Sequence, residues 1–381
     1  VGSCWQAGSG LAHFYNLHSD YLAGAIDRHN YSGGGTGHTF QPGKIENEPM
    51  VSYPGSGLLS TGFQQVANRP FQISEWMALI PNQWTAESSP IIAAYGMGLQ
   101  GWDASYAFAM DLSDFSPTIQ SLHGVYNVTS PTQLAFYPPL SAMLYRNDIK
   151  EGTTVFQQNV NISDLQKGKL TVEEKIVQQY DVKRFESQAP QQVLAIGKVA
   201  LTFDSSAAFN NTTWKKYLDT AKKIVRSTTG QLLWDYSDKG FFTINSPGTK
   251  GIVGFTGGKT VHLNELSLQT PNPFAVIFVS SMDKNKDLTT SKKILVTTMA
   301  RAKNTGMEFN ADTTRLLKVG HSPILLEPVQ VTFRNKRKGN LKVFVLDHSG
   351  NCTIVQVPVI NGTVFLDGKK YKTLYYEIVY E

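Results

Sequence analysis

The chain has few cysteines, few charged residues and no long apolar run, and each scarcity argues against a class of protein. Its 381 residues include two cysteines, Cys4 and Cys352, whose position at opposite ends argues against a disulfide framework. No uninterrupted apolar stretch reaches 18 residues, so the sequence predicts no membrane-spanning helix. Charged residues make up 17% of the chain and hydrophobic residues 41%, so we expect sizeable buried cores.

The net charge of +5 is unevenly distributed along the chain. Residues 1–150 contain five Lys and Arg against ten Asp and Glu, and the remainder contains 30 against 20. The basic run from Arg334 to Lys338 is a candidate contact for nucleic acid or acidic glycans, but a solvated turn is the more frequent origin of such a run. We predict no nucleic-acid partner. Because no histidine or cysteine spacing typical of a zinc site occurs, we predict neither a metal nor an organic cofactor.

Strand-like and helix-like segments alternate through residues 1–150, at a spacing of roughly 30 to 45 residues that favours βα units in a parallel sheet. Helices are predicted at Leu11–Tyr21, Gly57–Ala67, Ile91–Gln100 and Gln133–Tyr145. Strands are predicted at Leu22–Asp27, Pro70–Trp76 and Gly101–Ala104, with a further candidate at Val1–Trp5. The first domain is therefore predicted to be α/β.

Short β-branched runs separated by turn residues replace this pattern after about residue 150. One helix is predicted there, at Asn211–Ser227. We expect an antiparallel β-sandwich over 151–325 and a small all-β unit over 326–381, in which Asn361-Gly362 is a hairpin turn. The predicted fold class is thus α/β plus all-β.

The segment from Pro70 to Trp76 carries the clearest indication of chemistry. An apolar run of strand character ends in Glu75, which is flanked by Ser74 and Trp76. Functional side chains lie at the carboxyl ends of parallel barrel strands, and a sugar-cleaving enzyme presents a carboxylate there as its nucleophile. A strand-edge carboxylate that pairs with an arginine is the simpler alternative.

Two residues at the end of the preceding predicted strand favour the catalytic interpretation. His29 and Tyr31 are two positions apart, so a strand places both side chains on one face. An imidazole and a phenol in one cleft bind sugar hydroxyls, and the phenol can orient a carboxylate such as Glu75. The alternative is that both rings pack beneath the Gly-rich loop from Ser32 to Gly37, which lacks the Gly-Lys-Ser/Thr ending of a phosphate-binding loop.

Aromatic residues near the predicted strand ends are candidate platforms for a sugar ring. Trp76, Trp84 and Trp102 qualify by position, because carbohydrate C–H faces stack on indole rings. Asn30, between the histidine and the tyrosine, is a further candidate ligand for sugar hydroxyls. Each tryptophan is equally a candidate for ordinary core packing.

These residues together resemble the last part of the retaining glycoside hydrolases of clan A, the (β/α)₈ enzymes that include cellulases, mannanases, agarases and β-galactosidases. The motifs that resemble strands six, seven and eight of that barrel are His29-X-Tyr31, Ser74-Glu75-Trp76 and Trp102. The resemblance covers about residues 1–150. It implies that Glu75 is the nucleophile, that Trp102 floors the sugar subsite, and that the chain holds about strands five to eight of a barrel followed by accessory β-sandwich domains.

The acid/base residue departs from the pattern of this clan. The clan places a Glu at the end of strand four, usually within Asn-Glu-Pro, whereas Asn47-Glu48-Pro49 lies only 27 residues before Glu75. Strands four and seven of a barrel are separated by about 90 residues. We therefore interpret Glu48 as a loop residue and expect the acid/base upstream of Val1, in a missing N-terminal half of the barrel.

The resemblance implies hydrolysis of β-glycosidic bonds in a polysaccharide or oligosaccharide, with retention of configuration, in a secreted, periplasmic or cell-surface protein. The missing barrel half, or a second copy of the chain, is the implied partner, because a partial barrel exposes unpaired strand edges. The alternative is a non-catalytic carbohydrate-binding or structural module derived from such an enzyme.

Overall fold

The computed structural model describes residues 10–35, 37–110, 116–120, 124–171, 176–179, 181–206 and 208–380. The protein is mixed α/β, with 38% of residues in strands and 20% in helices, and this confirms the predicted combination of classes. The candidate strand Val1–Trp5 and Cys4 lie outside the described residues. No helix in the described ranges is long and apolar enough to cross a membrane.

A five-stranded sheet contains the predicted site, and we call it the first sheet. Its strands lie in the order Ala104–Ala107, Phe71–Leu79, Ile26–Gly33, Val182–Phe185 and Ile176–Gln179. The first four run parallel to their neighbours, and the fifth is antiparallel. The predicted parallel βα arrangement is therefore present, although two strands of this sheet come from beyond residue 150.

Two strands of the first sheet begin later than the sequence pattern indicates. Leu22 and Ala23 end the helix His13–Ala23, and Gly24 caps it at φ 105°, so the strand begins at Ile26. Gly101 has φ 69°, which suits a turn, and the next strand begins at Ala104. Glycine adopts these left-handed conformations without the steric cost that a Cβ atom brings.

Helical segments connect the parallel strands where helices are predicted. They are the 3₁₀ segment Gly57–Gln64, the α-helix Ser88–Ile91 with the π-helical Ile92–Leu99, and the α-helices Pro131–Leu134 and Tyr137–Tyr145. Gly96 permits close packing here, because a Cβ atom at this position would approach the Trp102 ring to 2.6 Å. Apolar side chains of this layer and of one face of the first sheet belong to one large core.

A ten-stranded sheet forms most of the remaining structure. Its strands, in spatial order, are Cys352–Val357, Leu341–Leu346, Tyr375–Tyr380, Lys293–Met299, Ala275–Ser281, Thr249–Gly254, Phe241–Asn245, Leu232–Asp235, Ile224–Arg226 and Leu218–Asp219. A second five-stranded sheet has the order Val261–Leu263, Leu266–Gln269, Gln330–Asn335, Thr363–Asp367 and Val359–Ile360. Apolar side chains from both sheets share a second core. The Asn361-Gly362 turn joins paired strands as predicted, with both residues at positive φ.

The remaining strands form small pairs and a triplet. Thr154–Val160 pairs in parallel with Lys198–Phe203, Ala302–Thr305 pairs with His321–Leu326, and Glu308–Phe309, Arg315–Lys318 and Gly43–Lys44 form a three-stranded sheet. The short α-helices are Ile162–Gln166 and Gly368–Tyr371. The short 3₁₀ segments are Gly10–Ala12, Met50–Ser52, Thr85–Glu87, Gln191–Ala195 and Thr213–Tyr217.

The predicted helix Asn211–Ser227 is wrong. The segment forms the short 3₁₀ turn Thr213–Tyr217 and then the strands Leu218–Asp219 and Ile224–Arg226. Val225 lies opposite Trp234 in the ten-stranded sheet and is 1% exposed. Burial of a β-branched side chain between two paired strands therefore outweighs the helical preference of the surrounding lysines.

The borders between the sheets differ from the domain borders predicted at 150/151 and 325/326. Residues 176–185 add strands to the first sheet, and the strands after residue 326 are divided between the ten-stranded and the second five-stranded sheets. The physical reason is that strand pairing depends on complementary edges brought together in space, which residue composition along the chain does not encode.

Candidate functional site

Glu75 and His29 lie opposite each other on two neighbouring parallel strands, Phe71–Leu79 and Ile26–Gly33. The register shifts between them: Arg28 pairs with Ile73, and His29 pairs with Glu75. Ser74 is therefore an extra residue, a β-bulge, and it shifts by one position which residues of its strand lie opposite those of Ile26–Gly33. The strand also continues to Leu79, so Glu75 lies within it and not at its end as predicted.

The carboxylate of Glu75 lies against two side chains of the neighbouring strand, and one of them donates a hydrogen bond to it. The Tyr31 hydroxyl donates to Glu75 Oε2 at 2.9 Å, and His29 Nδ1 lies 3.3 Å from the same oxygen. The structure thus brings together Glu75, His29 and Tyr31, on one face as the two-residue spacing predicts. The Glu75 side chain remains 33% exposed, so its carboxylate is accessible to a ligand.

Burial, with the hydrogen bond to Glu75 as a second cause, raises the pKa of Tyr31 far above its ordinary value. The phenol therefore keeps its proton and remains a donor throughout the physiological range. Tyr31 is accordingly suited to hold the Glu75 carboxylate in a fixed orientation.

Asp27 and Ser74 extend this arrangement beneath His29. The main-chain N–H and the hydroxyl of Ser74 donate to the two carboxylate oxygens of Asp27, at 3.1 and 2.8 Å. His29 Nε2 lies 3.0 Å from Ser74 Oγ. We call Asp27, His29, Tyr31, Ser74 and Glu75 the Glu75 cluster.

The hydrogen bonds of the Glu75 cluster assign the histidine tautomer. Because the Ser74 proton is directed at Asp27, His29 Nε2 carries the proton that Ser74 Oγ accepts. Protonation at Nδ1 would then create an imidazolium facing Glu75. Burial lowers the pKa of His29, although the carboxylates of Glu75 and Asp27 act in the opposite direction. Burial therefore favours the neutral ring.

Asn30 lies outside the cluster, although the sequence nominates it as a sugar ligand. Its side chain is fully buried and donates to Thr61 Oγ1 at 2.8 Å and to the Gly57 carbonyl at 3.3 Å. Its Oδ1 accepts the main-chain N–H groups of Tyr31 and Lys183. The Asn30 amide therefore uses its hydrogen bonds to join its own strand to the strand Val182–Phe185 and to the helical segment Gly57–Gln64.

Two of the three candidate tryptophans, Trp76 and Trp102, are buried, and the third, Trp84, is partly buried against the same core. Trp76 is 4% exposed, and its indole N–H donates to Ser105 Oγ at 2.7 Å. Trp102 is 2% exposed and lies against Phe71, with ring centroids 5.2 Å apart. Strand alternation directs Trp76 to the helical side, because the adjacent Glu75 faces the other way.

Trp84 joins the first part of the chain to the ten-stranded sheet. Its ring packs on Phe255 and Phe274 at centroid distances of 4.9 and 5.2 Å, and its N–H donates to the carbonyl of Asn47. These contacts give Trp84 a packing role between two parts of the structure. The alternative of core packing is thus the placement observed for all three indoles.

A second polar group, which sequence reasoning missed, lies beside Tyr31. The Tyr126 hydroxyl donates to Asp181, and His38 Nε2 lies 3.5 Å from the same carboxylate. The rings of Tyr126 and Tyr31 meet edge to face, with centroids 5.2 Å apart. Asp27 lies two positions before His29, so strand alternation could have placed it on the same face. Nothing in the local sequence links Asp181 to Tyr126 or Tyr31, which are distant from it along the chain.

A cavity of about 560 Å³ reaches the cluster at Tyr31. Its wall also includes Glu48, Lys183, Arg184 and Asp312, together with the chain around Ile45 to Met50. Glu48 lies in a loop, as predicted, and is exposed on the cavity side. Glu75 does not line this cavity, so Tyr31 is the residue that connects the open space to the carboxylate.

Over the residues that the structure describes, no group of three or more His, Cys, Asp or Glu side chains is arranged to hold a metal ion. The Glu75 cluster itself offers two carboxylates, an imidazole, a phenol and a hydroxyl. Comparison of the chain with protein-family models, with curated proteins and with solved structures finds no match.

Proposed function

We propose that this chain carries the nucleophile of a retaining glycoside hydrolase that cleaves β-glycosidic bonds in a polysaccharide. The observation that carries the proposal is the Glu75 carboxylate, partly exposed, held by the Tyr31 hydroxyl at 2.9 Å and lying 3.3 Å from His29 Nδ1. A pre-oriented carboxylate with a fixed donor on one oxygen retains its other oxygen for attack on carbon.

In the proposed reaction, an oxygen of Glu75 attacks the anomeric carbon and the glycosidic C–O bond breaks. A second carboxylic acid about 5 Å away, which the proposal assigns to barrel strands outside this chain, protonates the departing oxygen and then removes a proton from the water that releases the sugar. Tyr31 holds the Glu75 carboxylate in position before the attack. The cavity that opens at Tyr31 offers space for sugar units on one side of the nucleophile.

The finer architecture proposed with this function is a segment of a (β/α)₈ barrel followed by a β-sandwich. The consecutive parallel strands Ile26–Gly33, Phe71–Leu79 and Ala104–Ala107, with helical connections, support the barrel segment. The core between the ten-stranded and second five-stranded sheets supports the sandwich. The edge strands of the first sheet would pair with further barrel strands or with a second copy of the chain.

Covalent trapping provides the test. The protein, assembled with the barrel strands that would supply the acid/base, is incubated with a panel of 2-deoxy-2-fluoro β-glycosides, and the modified peptide is identified by mass spectrometry. We expect one adduct on the peptide that contains Glu75. In parallel, Glu75→Gln should reduce release of reducing ends from β-linked polysaccharides by about 10³-fold or more. Glu151→Gln, which alters an exposed carboxylate paired with Lys198, is the matched control and should retain activity.

An adduct on another carboxylate, or full turnover by Glu75→Gln, would reject Glu75 as the nucleophile. Binding of polysaccharide without cleavage, unchanged by Glu75→Gln, would instead support the alternative of a non-catalytic carbohydrate-binding module.

A further inference from the structure

Lys183 is a buried lysine that contacts the Glu75 cluster from the neighbouring strand, Val182–Phe185. Its side chain is 1% exposed, and its ammonium donates to the main-chain oxygen of His29 at 2.8 Å. Its own main-chain N–H donates to Asn30 Oδ1 at 2.9 Å. The residue therefore holds the chain on both sides of the His29–Asn30 peptide.

A buried ammonium destabilises a protein unless nearby groups compensate for the lost hydration. The carboxylates of Glu75, Asp27 and Asp181 raise the pKa of His29, and the Lys183 ammonium acts in the opposite direction. Ser74 and Tyr31 complete the polar surroundings of this group. The carboxylates thus offer compensation for Lys183, and Lys183 offers compensation for them.

We infer that Lys183 is a positioning residue of the Glu75 cluster: its ammonium fixes the backbone of His29 and places a positive charge beside the imidazole and the carboxylates around it. The inference rests on the proposed function only where it treats this cluster as catalytic. Lys183 acts on Glu75 through His29, whose carbonyl its ammonium binds.

The two actions of Lys183 are separable by substitution. Lys183→Arg retains the charge. Lys183→Gln retains a donor for the His29 carbonyl but removes the charge, and Lys183→Met removes both. If the charge is what matters, Gln and Met resemble each other and Arg resembles the wild type. A purely packing role would instead rank Met, which has the most similar shape, closest to the wild type.

The test follows the His29 imidazole by NMR as the pH is varied, with its signals assigned by their absence from a His29→Asn variant. The Lys183 ammonium lowers the pKa of His29, so removal of this charge should raise the pKa of His29. We expect the titration midpoint to rise by about 0.5 to 1 pH unit in Lys183→Met and Lys183→Gln. It should change little in Lys183→Arg.

Lys250→Met is the matched control, because Lys250 is also 1% exposed but pairs with Glu265 in another part of the chain. It should leave the His29 midpoint unchanged. If Lys183→Met does not fold, Lys183→Gln provides the same test, because it also removes the charge but retains a polar side chain. An unchanged midpoint in the folded charge-removing variant would overturn the inference.

The NMR result does not depend on enzymatic activity, so it separates this inference from the proposed function. If the proposed function holds, the pH profile of kcat/KM for Lys183→Gln should shift in the same direction as the NMR midpoint. A shifted midpoint with no hydrolase activity in the wild type would retain the role of Lys183 and reject the glycosidase.

Discussion

At the scale of single residues, local spacing identified three members of the Glu75 cluster and missed the others. His29 and Tyr31 share a face because strand side chains alternate, and that rule holds over two residues. It fails across Ser74, because the β-bulge there adds a residue to one strand only. The same bulge brings Ser74 onto Asp27, a contact that depends on both strands and is invisible in either alone.

Glu87 provides a residue-scale prediction about pH. Its carboxylate is 1% exposed and accepts the main-chain N–H groups of Met50 and Val51, at 2.6 and 3.1 Å. Burial raises the pKa of Glu87 from 4.5 to about 8, against the opposing effect of these two bonds. In the unfolded chain the group ionises near its ordinary pKa. Between about pH 5 and 8 the unfolded state therefore binds fewer protons, and the free energy of unfolding falls as the pH rises.

The contribution of Glu87 to this fall is at most about 1.4 kcal/mol per pH unit. Glu87→Gln cannot ionise, so the difference in unfolding free energy between wild type and variant should shrink from pH 5 to pH 8. Urea denaturation at several pH values measures it. A difference that stays constant or grows with pH would show that Glu87 is ionised throughout this range in the folded protein.

At the scale of elements, the predicted helices and strands were found where apolar periodicity was strong, and the failure at 211–227 came from tertiary pairing. Strands of the ten-stranded sheet, such as Ala275–Ser281 and Lys293–Met299, match the predicted β-branched runs. Residues 224–226 instead form a strand that pairs with Leu232–Asp235. A segment with mixed preferences adopts the structure that buries its apolar side chains.

The end of the helix Tyr137–Tyr145 gives an element-scale prediction. Arg146 pairs with Asp148 at 2.7 Å and donates to the carbonyls of Ser281 and Gly248, so it fastens the helix to the ten-stranded sheet. Its side chain is 12% exposed. Arg146→Ala leaves Asp148 buried without its partner, and we expect a loss of about 3 kcal/mol in unfolding free energy.

Arg184→Ala is the control for this substitution. Arg184 pairs with Glu46 in an exposed position, with side-chain exposures of 63% and 42%, and such pairs contribute at most about 1 kcal/mol. Equal effects of the two alanine substitutions in urea denaturation would mean that Arg146 does not anchor the helix to the sheet.

At the scale of the whole molecule, the first 150 residues and the later ones share one core. That core includes Phe14 and Leu59 as well as Leu194 and Trp234. Polar contacts cross the same border: the fully buried Gln100 donates to the carbonyls of Leu194 and Gly197 and accepts the N–H of Val199. Shared burial of this kind couples the stability of the two parts.

We therefore expect a fragment of residues 1–150 to be insoluble or aggregated when expressed alone. The fragment would expose the apolar surface that Leu194 and Trp234 cover, and it would lack the strand Val182–Phe185 beside Ile26–Gly33. Size-exclusion chromatography and circular dichroism of the fragment and the full chain measure this. A soluble, folded, monomeric fragment would show that residues 1–150 are an independent domain.

The sequence alone determined the succession of strands and helices around Glu75 and the shared face of His29 and Tyr31. Both features follow from the local periodicity of apolar residues, which indicates the buried and the exposed side of each segment. The pairing of distant segments, in contrast, buries Trp76 and Trp102, packs Trp84 against the core, and brings Asp181 and Lys183 beside the cluster. The physical reason is that periodicity orients a side chain about its own backbone, whereas the partner it meets depends on how distant strands pair and bury their common apolar surface.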